Sequence, residues 1–202
     1  VNCDVARPAV LPRPARLPSG RGMSTASVGE EGVLAVPAET DPVAFVAGID
    51  VVTGTNRWKL ARTNRSNWTS PVTLIGGDGR SRVALQSGAG ITTIEPATGR
   101  VVWSYSDGAA TIPSSVARGD VLFVPSRGLT ALLAGGDGQP PKQLWRSAQM
   151  RPGTASPLVL GERVFVLNEA DVLTCGEVAT GARLCASGVG RNDDLRSQRL
   201  SA

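Results

Sequence analysis

Short runs rich in Val, Leu, Ile and Phe alternate with clusters of Gly, Asp, Asn and Pro along most of the chain, in an order that returns. In the middle of the sequence, the runs Asn67–Leu74, Arg82–Leu85, Gly90–Ile94 and Val101–Tyr105 are β-type segments divided by turn signals. The order recurs as Pro113–Val116, Val121–Val124 and Gly128–Leu133, and again as Ser156–Leu160, Arg163–Leu167 and Val172–Cys175. A looser first unit runs from about Met23 to Leu60, with Gly32–Val36 and Val43–Ala47 as its middle strands. Four strands per unit, repeated, predict one propeller blade per unit.

Each unit also ends on a shared signature. It reads Asp50 to Gly54 to Trp58, then Glu95 to Gly99 to Trp103, then Asp137-Gly138 leading to Trp145, and last Glu177 to Gly181 to Cys185. The final positions stand 45, 42 and 40 residues apart, a period of about 40–45 that fits a propeller array. Glycine supplies the positive φ that closes a tight hairpin, and Thr or Asp before it bonds the turn's own backbone. A Trp at fixed offset on the outer strand offers a broad apolar surface, with an N–H free to find a carbonyl. Gly54, Trp58, Gly99, Trp103, Trp145, Gly181 and Cys185 are therefore expected to dock blade on blade, a structural task and not a chemical one.

The pattern small residue, x, Asp/Glu, x, x, Thr, Gly, x, x, x, Trp resembles the tryptophan-docking motif of the pyrroloquinoline-quinone-like (PQQ-like) β-propeller repeat family. Its small position falls on Gly48, Thr93 and Cys175, its acidic position on Asp50, Glu95 and Glu177, and its aromatic position on Trp58, Trp103 and Cys185. Trp68-Thr69-Ser70-Pro71-Val72 resembles the first strand of the same repeats. The third unit departs from the pattern, with three residues inserted between Gly138 and Trp145. The resemblance runs from about Met23 to Leu184 and implies an all-β fold of four-stranded antiparallel blades. About four blades are present, at the bottom of the usual range of roughly four to eight, so a partial or open propeller is expected. Proteins with this repeat include the propeller lipoprotein of the outer-membrane β-barrel assembly machinery, which implies a non-enzymatic scaffold. They also include quinone-dependent dehydrogenases, with a central cofactor, a calcium ion held by carboxylate and amide oxygens, a catalytic Asp and a disulfide of adjacent cysteines.

Residues 1–22, with Pro8, Pro12, Pro14 and Pro18 among Arg and Ala, read as a leader or linker, and residues 189–202 as a polar tail. Between them the blades are expected at about 23–62, 67–106, 111–147 and 154–188. A start on Val1 without a signal segment is read as a processed or excised beginning. An incomplete ring leaves edges that invite self-association or further blades. No apolar run approaches the roughly 18 residues that a membrane-spanning helix needs. A net charge of +4, carried by scattered arginines, reads as solvated surface without the clustered stripe of a nucleic-acid binder.

Candidate chemistry is sparse. With no histidine, Ser-His-Asp and Cys-His nucleophiles are excluded. Gly76-Gly77-Asp78-Gly79 and Gly135-Gly136-Asp137-Gly138 lack the following Lys-Ser/Thr of a phosphate loop and read as hairpin turns. Asn192, Asp193 and Asp194 offer calcium-type oxygens but read as a solvated tail. Cys3 lies in the leader. Cys175 and Cys185 stand on two arms of one hairpin, either as small buried hydrophobes or as a cross-hairpin disulfide of an oxidising compartment; zinc has little support without closely spaced ligand pairs. The expected protein has no catalytic, cofactor or metal residue and binds a protein or peptide partner, in the periplasm or outside the cell. A partial or degenerate quinoprotein dehydrogenase and an accessory sensor propeller of a larger protein are the alternatives.

Overall fold

The computed structural model describes residues 27–28, 32–39, 44–63 and 66–189, and every regular element among them is a strand. The leader, Cys3 and the Asn192–Asp194 group lie outside the described residues. Blade 1 comprises β1 (Ser27–Val28), β2 (Val33–Glu39), β3 (Ala44–Asp50) and β4 (Asn56–Ala61). Blade 2 comprises β5 (Val72–Ile75), β6 (Ser81–Ser87), β7 (Gly90–Ile94) and β8 (Val101–Tyr105). Blade 3 comprises β9 (Val116–Arg118), β10 (Val121–Pro125), β11 (Leu129–Leu133) and β12 (Lys142–Ser147). Blade 4 comprises β13 (Leu158–Leu160), β14 (Arg163–Leu167), β15 (Val172–Glu177) and β16 (Arg183–Gly188). Each sheet is an antiparallel meander in chain order. The first strands β1, β5, β9 and β13 neighbour one another in turn and form the inner wall. The four sheets make an open, partial propeller that does not close into a ring.

Alternation along the strands gives each blade two apolar faces, and successive blades bury one against the next. Ala35, Val46, Trp58 and Leu60 of blade 1 cover Val83, Leu85 and Ile94 of blade 2. Leu74, Ala84, Ile91 and Trp103 of blade 2 cover Leu122, Val124 and Leu132 of blade 3. Phe123, Leu129, Ala131 and Trp145 of blade 3 cover Val164 and Val166 of blade 4. Burial of such rows, at about 25 cal/mol per Å² of apolar area, is the main stabilising term.

The register repeats as well. Gly48 pairs with Trp58, Thr93 with Trp103, Ala131 with Trp145 and Cys175 with Cys185, and in all four blades the ladder shifts immediately after the first of these residues. The bulge turns the outer strand locally, so the aromatic position lies over its small partner: a Cβ added to Gly48 would stand 2.1 Å from the Trp58 ring. In blade 3 the small position is Ala131, which puts Leu133 where the other blades carry Asp50, Glu95 and Glu177. A second repeat runs along the inner wall. The Ser70 N–H donates to Ser114 Oγ, and the Ser114 N–H to Ser156 Oγ, both at 2.9 Å, so each blade hands a backbone donor to the next.

Candidate functional site

One face of the array carries the hairpins β6–β7 and β10–β11 together with the connections between blades. Two depressions adjoin there. The smaller, of about 300 Å³, is lined by Glu39, Arg62, Asn67 and Ser87 among others; the larger, of about 670 Å³, lies against residues 106–110, 125–128 and 151–152. Gly88 and Ala89, at the tip of the β6–β7 hairpin, line both, so a low wall of small residues joins the depressions into one groove.

The walls of this groove are pinned by buried polar side chains. Glu39, at the end of β2, accepts from Arg62 Nε at 2.8 Å and from Asn67 Nδ2, and all three side chains are nearly out of solvent. Asn67 Nδ2 also donates to Gln86 O at 2.8 Å. Gln86 extends the chain of bonds: its amide donates to Ala110 O at 2.6 Å and Pro113 O at 2.9 Å, and its oxygen accepts from the Ser115 N–H at 2.8 Å. Buried networks of this kind hold a single geometry, because an unmade bond inside costs more than one in water. Both inter-blade connections are thereby fixed against the hairpin that divides the groove.

Asp107, which lines the larger depression, accepts from Arg146, and Arg146 also donates to Tyr105 Oη at 2.6 Å and, through Nε, to Thr130 Oγ1 at 2.9 Å. The Arg146 hydrogen bond holds the Asp107 carboxyl below the usual carboxylate range, while burial pushes the Tyr105 phenol up. Arg127, 3.8 Å from Asp107, and Arg151 remain exposed along the rim. The groove thus combines small residues in its dividing wall, walls fixed by buried hydrogen bonds, and a rim that carries arginines. It is suited to accept a chain by shape and hydrogen bonding. Its acidic groups are already engaged by arginines.

At the opposite side of the blades the outer strands meet the turns of their neighbours. Trp58 Nε1 donates to Pro96 O of blade 2 at 2.8 Å, and its ring lies where a Cβ on Gly99 would come within 2.6 Å. Trp145 Nε1 donates to Val178 O of blade 4 at 2.9 Å, its ring 2.4 Å from the place a Cβ on Gly181 would take. Gly99 and Gly181 share φ of 71°, and each N–H closes onto the acidic residue of its turn, Glu95 O or Glu177 O, at 2.9 Å. Trp103 is buried more deeply than either, yet among the described residues its Nε1 has no hydrogen-bond partner. There the longer turn of blade 3 bonds differently: the Gly77 N–H donates to Gly135 O at 3.1 Å, and Asp137 takes Arg100 of blade 2 through both oxygens at 2.7 and 3.1 Å. The two Gly-rich segments read as hairpin turns are those that touch.

Residues 18–118 match the family of the outer membrane protein assembly factor BamB. The chain belongs to the PQQ-like β-propeller repeat family. Its fold is similar to BamB from Moraxella catarrhalis, with a TM-score of 0.56 and 17% identity over 83% of this chain and 49% of that one. It is similar to the same degree, 0.56, to quinohemoprotein alcohol dehydrogenase from Comamonas testosteroni, at 15% identity over 85% of this chain and 36% of that one. The quinohemoprotein alcohol dehydrogenase ADHIIG from Pseudomonas putida HK5 gives 0.53 at 13% identity, over 84% and 34%. The chain therefore spans about half the length of the BamB structure and about a third of each dehydrogenase. No curated protein matches the sequence.

Two of these similar structures are quinohemoproteins, whose chemistry would call for a set of donor groups. Asp50 accepts from the Val52 and Thr53 N–H groups and from Arg57; Glu95 and Glu177 accept from Thr98 and Thr180 in their own turns. Among the described residues no three His, Cys, Asp or Glu come together. Cys175 and Cys185 face each other across two strands and are not chain neighbours. These residues do not fit a calcium-bound quinone. Sequence reasoning passed over the groove, because its walls are built from single Asn, Gln and Glu residues scattered over strands and connections. Met150 is fully buried and fills the space over Gly176 between blades 3 and 4.

Proposed function

We propose that the chain is a non-enzymatic β-propeller scaffold of the cell envelope that binds a protein or peptide partner in the groove across blades 1 to 3. The observation that carries this reading is the continuity of the two depressions over Gly88 and Ala89, with walls fixed by Glu39, Asn67 and Gln86 and a rim bearing Arg127 and Arg151. A groove with small side chains in its dividing wall admits an extended polypeptide, whose own N–H and C=O groups need partners. The arginines favour an acidic segment or a chain terminus. Membership of the BamB family supports both the scaffold role and the envelope location.

A photo-crosslinking residue at Ala89 tests the proposal. Exposed to envelope extract, it is expected to give polypeptide adducts that disappear when Arg127 and Arg151 are both changed to Glu, while the same crosslinker at Arg183 on the outer rim gives none. Adducts of equal yield at both positions, or none at Ala89, would overturn it. The likeness to quinohemoprotein dehydrogenases favours a second reading, a partial quinoprotein propeller. In that case pyrroloquinoline quinone with calcium must raise the melting temperature, since a ligand of the folded state alone stabilises it.

A further inference from the structure

We propose that Trp68 and Ile112 form an apolar seat beside the groove, and that the seat takes an aromatic or branched aliphatic side chain of the polypeptide bound there. The inference rests on the groove as the binding site and adds the class of residue that is read.

Trp58, Trp103 and Trp145 pack between blades, whereas Trp68, on the connection from β4 to β5, is 45% accessible. Its neighbours in the chain are sealed in. Asn67 and Thr69 are 3% and 2% accessible, so the backbone holds the indole outward between two buried residues. Ile112 takes the same place on the connection from β8 to β9, two residues before Ser114 as Trp68 is two before Ser70, and is 49% accessible beside the buried Pro113. Before blade 4 that place falls to Thr154, so the apolar pair is confined to the blades that the groove crosses.

Thr111 ties the pair to the groove. The Trp68 N–H donates to Thr111 O at 2.8 Å, Ile112 is the next residue along, and Thr111 Cγ2 lies 3.4 Å from the place a Cβ on Gly88 would take. Gly88 belongs to the wall that both depressions share. Gln86 then fixes the two connections together. Its backbone oxygen accepts from Asn67 Nδ2 at 2.8 Å and from Thr69 Oγ1 at 3.4 Å, on either side of Trp68. Its amide donates to Ala110 O at 2.6 Å and to Pro113 O at 2.9 Å, on either side of Ile112. Neither apolar side chain is free to fold inward, and a rigid indole held out of the core is a ready anchor for a partner.

Blade stacking does not account for this exposure. Leu158, Leu160, Leu173 and Leu184 belong to blade 4, the last of the array, but the connections bearing Trp68 and Ile112 lie inside it. The occupant is apolar and not cationic, although an indole face attracts cations, because Ile112 offers no charge and Arg127 and Arg151 stand on the rim of the same groove.

Short peptides of Ser, Thr and Gly ending in a pair of Asp, with one Phe moved through the remaining positions, test the seat against the parent peptide without Phe. At one or two positions Phe is expected to raise affinity for the wild-type chain about tenfold or more. The same peptides should shield tryptophan emission from acrylamide, since Trp68 is the most accessible of the four indoles. Trp68→Ala, and separately Ile112→Ser, should bring those peptides down to the affinity of the parent, with melting close to the wild type because each side chain is half exposed. Changing Arg127 and Arg151 to Glu should weaken every peptide, the parent included. Parent binding that depends on the arginines, with no gain from Phe at any position or a gain that survives both seat variants, would overturn the seat and leave the groove standing. No binding by any peptide would overturn both. Shielding of Trp68 by phosphatidylglycerol vesicles, with none by the peptides, would overturn the seat in favour of a lipid surface.

Discussion

An indole N–H taken out of water either finds an acceptor or destabilises the fold by the bonds it leaves unmade. Trp58 and Trp145 find Pro96 O and Val178 O, and Trp103 does not. Trp58→Phe and Trp145→Phe should each cost about 1 kcal/mol or more beyond the change in apolar area, since a carbonyl is orphaned as well. Trp103→Phe should cost less than either or be neutral, because no bond is lost. Urea melts of the three variants check the ordering, and equal losses would show that the N–H groups do not matter. The thiols follow the same local logic. Cys185 lies across from Cys175 where the other blades set an indole over a small residue, and burial, then the Cys185 thiol, push the Cys175 thiol up. Both are reduced here. In excess glutathione disulfide the pair is expected to form a bond, two thiols giving one disulfide while glutathione disulfide is reduced to two thiols. Peptide mapping without reductant reads it, and separate glutathione adducts on each cysteine would contradict it.

Between elements, the acidic turn residues and cross-blade ion pairs govern the response to acid. Thr53 and Val52 N–H groups with Arg57 hold the Asp50 carboxyl below the usual range, the Thr98 hydroxyl does so for Glu95, and Arg146, Arg100 and Arg118 do so for Asp107, Asp137 and Glu162. Each folded-state pKa lies below its unfolded value, so the stability it contributes is complete above about pH 5 and is lost as pH falls through the folded-state value. The melting temperature should stay level from about pH 7 to 5 and drop below about 4. An Asp50→Asn, Asp107→Asn double variant should drop less steeply; an unchanged slope would assign acid lability elsewhere. The strand order was legible at this scale because apolar runs, turn glycines and the Gly-to-Trp spacing all state the same period. The third turn was not. Its small residue is Ala131, recognisable only once the ladder pairs it with Trp145, and its insertion hides the register from spacing alone. The Ser70, Ser114 and Ser156 ladder was written in the sequence beside Pro71, Pro113 and Pro157, but a serine before a strand carries no sign of whose backbone it serves.

For the whole molecule, blades that repeat one grammar produce two faces of different character. The outer side is architecture: turns, indoles and ion pairs between neighbours. The groove side is where the repeat breaks down into individual residues, and that is why it escaped a reading based on recurrence. Glu39, Asn67 and Gln86 hold its walls, each through a different set of partners, and only the folded array brings Ala89 near Arg127 and Arg151. Hydrogen exchange of the chain with and without a polypeptide captured at Ala89 is the most direct test of the binding account. Slowed exchange is expected in residues 87–89, 106–110 and 126–128, with β16 unchanged. Protection confined to β16 or to the Val51–Gly54 turn, with the groove exchanging as before, would contradict it.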